Sequence, residues 1–132
     1  MNNKANRALI VPNKSSAGIK LGATKKALYR LLGDPIEIER ISPHCERLVY
    51  ENANFWLESN KITQIGISNH YEGKTKDGIK IGSTRVEVEN IYGPLEWDGT
   101  WHINSPPFGI GFDFQSNLYG EQFVTEIFIF EE

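Results

Sequence analysis

The chain has a single cysteine, Cys45, among its 132 residues, so no disulfide can close within it and the fold has to rest on its own packing. No stretch comes near the roughly 20 consecutive apolar residues of a membrane-spanning helix. The start, Met1 to Arg7, is polar, and only Ala8 to Val11 follow before Pro12, too short for the roughly 7–15-residue apolar centre of an export signal. The expectation from this start is a cytoplasmic protein without a membrane span. Glycine-rich phosphate loops, zinc-ligand spacings and nucleophile elbows are all missing. His44, His70 and His102 each lack a second histidine or cysteine at metal-ligand spacing, apart from the neighbours His44 and Cys45, so neither a metal nor a cofactor is expected. Adjacent residues on a strand or turn point to opposite sides, which argues against a Cys45–His44 catalytic pair and favours a structural cysteine. Glu37 and Glu39 share a strand face, but nothing in the sequence would separate their pKa values for acid–base work. The chain is expected not to be an enzyme.

Lysine and arginine disappear after Arg85. Residues 1–71 hold ten Lys/Arg and six Asp/Glu, a net +4, whereas residues 72–132 hold four and eleven, a net −7. The last 47 residues carry nine acidic groups and no base. A field of that sign steers a basic partner and repels nucleic acid. The basic residues Lys14, Lys20, Lys25, Lys26 and Arg30 read as a solvated helix face, since the stacked aromatics of an RNA platform do not accompany them.

What the chain does have is an internal echo. Gly18-Ile19-Lys20-Leu21-Gly22-Ala23-Thr24 returns as Gly78-Ile79-Lys80-Ile81-Gly82-Ser83-Thr84, and repetition of a whole unit takes precedence over any local signal. In each copy the threonine is placed to cap a helix, and Thr84 with Glu87 spells a capping box. Leu28, Leu31 and Leu32, or Val88, Ile91 and Tyr92, then fall on one helix face. Gly33 and Gly93, followed by Pro35 and Pro94, end the helices. The remainder reads as strands: 36–41, 47–51, 54–58 and 62–68 in the first copy, and 95–98, 101–104, 108–115 and 123–130 in the second. The organisation expected is a polar N-terminal segment over 1–11, one repeat over 12–71 and another over 72–132, an α+β fold of one compact domain.

The pattern Gly-Ile-x-[Leu/Ile]-Gly-x-Thr, a short helix, then Gly and Pro resembles the repeat of the β-lactamase inhibitor proteins and of the small outer-membrane assembly lipoproteins of the BamE type. That resemblance implies two helix-plus-meander units forming one curved antiparallel sheet, with helices behind and an open face that, in the inhibitor family, grips another protein.

Strand parity then nominates residues. With Phe55, Leu57, Phe112 and Phe114 buried, Trp56 and Asp113 project to the open face; with Ile65, Ile67, Ile127 and Ile129 buried, Glu126, Phe128 and Phe130 do the same. Aromatics beside carboxylates make a candidate protein-binding set. Glu96, Trp97, Asp98, Trp101 and His102 join it, lying between the second helix and a turn-rich insertion at 104–107 that the first copy lacks; the structural alternative is that Trp97 and Trp101 fill core space. The function expected is a cytosolic immunity or inhibitor-type protein that neutralises a basic protein such as a toxin, with a BamE-like scaffold module of the cell envelope as the alternative.

Overall fold

The structure, a computed structural model, describes residues 3–104 and 108–131. A short helix α1 (Asn3–Asn6) leads to a two-stranded ribbon, β1 (Ser15–Ser16) and β2 (Ile19–Lys20), and to helix α2 (Lys25–Leu32). Four strands follow: β3 (Glu37–Ser42), β4 (Cys45–Val49), β5 (Ala53–Glu58) and β6 (Lys61–Ser68). Helix α3 (Arg85–Tyr92) then precedes β7 (Glu96–Trp97), β8 (His102–Ile103), β9 (Ile110–Ser116) and β10 (Gln122–Phe130). All strands from β3 onward join one antiparallel sheet in the order β3-β4-β5-β6-β10-β9-β8-β7. The α+β class and the antiparallel sheet are therefore as expected.

The recurring motif builds the same local device twice. Thr24 Oγ1 accepts the N–H of Ala27 at 3.3 Å, and Thr84 Oγ1 that of Glu87 at 3.1 Å. At Thr84 the Glu87 carboxylate also reaches back to the cap N–H at 3.0 Å, completing the capping box. Gly33 and Gly93 close the helices at φ 78°, ψ −157° and φ 87°, ψ −177°, a region essentially confined to glycine. The turn before each helix is tied to a central strand. Gly22 N–H donates to Ile62 O at 2.7 Å and Ile62 N–H to Ala23 O at 2.9 Å; Gly82 N–H donates to Val124 O at 2.9 Å and Val124 N–H to Ser83 O at 2.8 Å. Each helix thus starts against one of the two strands, β6 and β10, that pair at the middle of the sheet.

One buried cluster joins Leu28 of α2 and Val88 of α3 to alternate sheet residues, among them Leu48, Phe55, Ile65, Ile67, Phe112, Ile127 and Ile129. Both helices accordingly cover the same face. The helix faces are narrower than the sequence spacing suggested: Leu31, Leu32 and Tyr92 are half-buried and Ile91 is exposed, because helices of eight residues present barely two turns to the sheet. The segment before residue 12 is also not a polar appendage. Ala5 and Ile10 are buried, Ile10 N–H donates to Lys74 O at 2.9 Å, and the Tyr71 hydroxyl bridges Ala8 O at 2.6 Å and Ala17 N–H at 3.0 Å. Phe108, expected to open a strand, precedes β9 and lies exposed near Tyr92.

Candidate interaction face

The register fixes what the helix-free face carries. One row across the sheet reads Glu39, Arg47, Trp56, Gln64 and Phe130, each directly opposite the next. The adjacent row reads Glu37, Val49, Asn54, Gly66, Phe128 and Gly111. A third contains Ser68, Glu126 and Asp113. A bulge between Val124 and Glu126 lets Val124 stay in the core while Glu126 comes up beside Asp113, since one extra residue restores the parity.

Two glycines in these rows create the floor of an aromatic cluster. A Cβ at Gly111 would lie 2.7 Å from Nε1 and 2.8 Å from Cγ of Trp101, and one at Gly66 would lie 3.1 Å from both Phe128 and Trp56. With no side chains there, the Trp101 indole lies over Gly111 and stacks on Phe128 (centroids 4.8 Å apart, 20° between planes) and Phe130 (5.2 Å, 22°), and Trp56 leans on Phe128 at 6.2 Å. Phe128 is only 6% exposed, so it supports the cluster from beneath and does not itself offer a contact surface, contrary to its sequence-based assignment. Trp56, Trp101 and Phe130 remain half-exposed above it.

Asp113 and Glu126 stand directly opposite each other beside these rings, half-buried and without a salt bridge to any described residue. Burial pushes both carboxyls above their ordinary range; His102 partly offsets this at Asp113, and at Glu126 the Asp113 charge adds to it while Arg47 opposes it. Arg47 is committed elsewhere, its Nη2 donating to Glu39 Oε2 at 2.9 Å. Arg47 Nε, Asn54 Oδ1 and Trp101 Nε1 are buried on this side with no hydrogen-bond partner among the described residues. Such a surface carries polar groups already partly stripped of water and not yet repaid by partners.

The structure brings Trp56, Trp101, Asp113, Glu126, Phe128 and Phe130 together and leaves the other nominated residues apart. His102 lies opposite the core residue Phe112, and Trp97 opposite His102, which puts both on the helix side; Trp97 is 58% exposed there and packs on the His102 ring at 5.2 Å. Glu96 sits exposed on the edge strand β7. Asp98 is occupied by the turn: its Oδ1 accepts the N–H groups of Thr100 at 2.8 Å and Trp101 at 3.0 Å, which lowers its pKa and fixes the backbone that delivers Trp101. Of the insertion at 104–107, residues 105–107 lie outside the described residues. Asn104 is buried, donating to Tyr92 O at 2.7 Å. The Cys45 thiol is pushed up by burial and then by Glu58 and Glu46, the wrong direction for a thiolate nucleophile. Among the described residues no three His, Cys, Asp or Glu side chains gather into a metal-binding group.

Gly66, Gly111, Arg47 and Asn54 escaped the sequence reading. The signal for the glycines was available, because a glycine inside a strand pattern marks close approach by another group. Nothing in the sequence marked the other two.

No family model matches the chain, and no curated protein matches it. Solved structures do match, among them the following two. A cysteine-rich secretory protein from Staphylococcus aureus subsp. aureus Mu50 superposes with a TM-score of 0.57 at 14% identity, over 90% of this chain and 48% of that one. An extracellular protein containing an SCP domain, from Bacillus anthracis str. Ames, superposes with a TM-score of 0.53 at 11% identity, over 96% of this chain and 48% of that one. The chain spans about half the length of each, and at such identities the likeness is one of fold alone. These neighbours overturn the resemblance to the β-lactamase inhibitor and BamE-type proteins, which removes the family ground for the immunity-protein reading. The motif that suggested it specifies a turn, a helix cap and a helix end, which unrelated chains can share. Among the described residues no helix is long and apolar enough to cross a membrane.

Proposed function

We propose that this chain is a non-catalytic protein-binding module whose helix-free sheet face takes a basic segment of its partner. The observation that carries the reading is the pairing of half-exposed rings, Trp56, Trp101 and Phe130, with two half-buried carboxylates, Asp113 and Glu126, that have no ion-pair partner among the described residues. A Lys or Arg brought there would gain both a ring face and a desolvated anion. We further propose that the fold is a tandem duplication, supported by the twice-built cap, turn and strand tie at Thr24 and Thr84. On that reading the second copy diverged toward binding, since its strands β9 and β10 supply both carboxylates.

Both solved structures carry this fold in about half of a longer secreted or extracellular chain. That favours a second reading in which the face docks on a further domain, with the same chemistry. Selection from a displayed random peptide library tests the common premise. The expected winners are rich in Lys and Arg, bind more weakly as salt rises, and are lost by Asp113→Lys with Glu126→Lys. Winners without basic enrichment, or binding that survives both reversals, would refute it.

A further inference from the structure

Beyond that face, we propose that the free edge of β3 is a strand-addition site for an extended peptide that alternates cationic and apolar side chains. The sheet ends in β3 on one side and β7 on the other. β7 has two residues, whereas β3 has six, every one exposed. Each strand turns the N–H and C=O of alternate residues away from its single neighbour, so β3 offers a ladder with no partner strand. Soluble proteins ordinarily blunt such edges with short strands, inward charges, prolines or bulges. Here Pro35 stands before the strand and the bulge falls at its far end, between Arg40 and Ser42, leaving 36–40 straight and open. Ile36, Ile38 and Ile41 are 73%, 50% and 50% exposed, apolar area that contributes nothing to the core.

The two sides of the edge differ. Glu37 and Glu39 lie opposite Val49 and Arg47 on the helix-free face, and Ile38 lies opposite the core residue Leu48 on the other. Arg47 already holds Glu39 at 2.9 Å, while Glu37 has no ion pair among the described residues. Residues 34–40 hold three acids, Asp34, Glu37 and Glu39, against Arg40 alone. An added strand therefore meets Glu37 and Glu39 on one side, and Ile36 and Ile38 followed by Arg40 on the other, which along 36–39 selects cationic and apolar residues in alternation. Main-chain bonds would supply affinity and the alternating side chains specificity. A second copy of this chain fits poorly. Antiparallel pairing of two β3 strands about a two-fold keeps like faces together, so it sets Glu39 against Glu39 or Glu37 against Glu39, and like charges directly opposite are unfavourable.

The probe is the capped, dye-labelled hexapeptide acetyl-(Lys-Val)3-amide, titrated onto the full chain by fluorescence anisotropy with amide hydrogen exchange as the map. Two companions carry N-methyl groups on one or the other alternate set of amides, a change made on the peptide and so independent of the protein's folding. The parent should bind and slow exchange within 36–41. One companion should bind at least tenfold more weakly and the other nearly as well as the parent, because only one set of amides faces β3. Glu37→Lys should weaken the parent severalfold, and Asp113→Lys with Glu126→Lys should leave it unchanged. Equal binding by all three peptides, or protection confined to β6 and β10, would overturn the proposal; the second result would assign the peptide to the open face instead. So would concentration-dependent dimers of the chain in which β3 is protected without peptide.

Discussion

Gly111→Ala isolates the packing that holds the aromatic cluster. Gly111 has no positive φ, so alanine fits the backbone and its only offence is its methyl group. Reducing the freedom of the unfolded chain would by itself stabilise by about 0.4–1 kcal/mol. The methyl, however, would sit 2.7 Å from Trp101 Nε1 and 2.8 Å from Cγ, well inside contact distance, against an indole that lies over Gly111 and is held by stacking on the rings of Phe128 and Phe130. Overpacking of this kind costs typically about 1–3 kcal/mol, so a net loss of roughly 1–2 kcal/mol follows, or about 3–10 °C in Tm for a chain of this length. Gly66→Ala, with its nearest ring atoms at 3.1 Å, should be close to neutral. Urea unfolding followed by tryptophan emission reads both consequences, and a Trp56→Phe, Trp97→Phe background leaves Trp101 as the only reporter. A Gly111→Ala protein as stable as its parent, with unshifted emission, would show that Trp101 does not rest on that glycine.

Other perturbations have outcomes as definite. Tyr71→Phe strands Ala8 O and the buried N–H of Ala17, and should cost about 1–3 kcal/mol in chemical denaturation. Thr84→Ala removes a reciprocated cap and should cost about 1 kcal/mol; Thr24→Ala, which loses one bond at 3.3 Å, should cost less in the same assay. Asp113 and Glu126 both have folded pKa values raised by burial. Such groups favour folding below the ordinary carboxylate range near about 4 and lose that contribution as pH rises through the raised values. Glu126→Gln should therefore raise the midpoint at pH 7 and flatten the pH profile just above that range; a lower midpoint at pH 7 would contradict the assigned burial.

Much of the architecture was legible because it rests on local rules. Thr24 and Thr84 announce caps, Gly33 and Gly93 announce helix ends, and alternation in 65–67 and 110–114 separates a core face from an open one. Parity sufficed to put Trp56, Asp113, Glu126 and Phe130 on one side. It could not rank them by exposure, so Phe128 looked like a contact when Trp101 and Trp56 cover it. Trp97 and His102 were grouped with Trp101 by nearness in sequence, but successive residues on a strand leave by opposite faces. The burial within the N-terminal segment was not legible because Ala5 stands alone among polar residues and Ile10 lies in an apolar run of four, too short to show a period, and what buries them comes from Gly18 and residues 71–75. Family membership was the least legible: a cap, a turn and a helix end recur wherever a short helix precedes a meander, and chains of 14% and 11% identity share this fold.

The central claim, that the helix-free face is the binding surface for a basic partner, is tested most directly by site-specific photo-crosslinking in the host. A photoreactive residue replaces Gln64 or Trp56 on that face, or Val86 or Ile91 on the exposed side of α3. The account predicts one basic protein or domain captured from positions 64 and 56 and lost on Asp113→Lys with Glu126→Lys, with nothing specific from 86 or 91. Capture from 86 or 91 alone, or an acidic partner indifferent to those reversals, would contradict it.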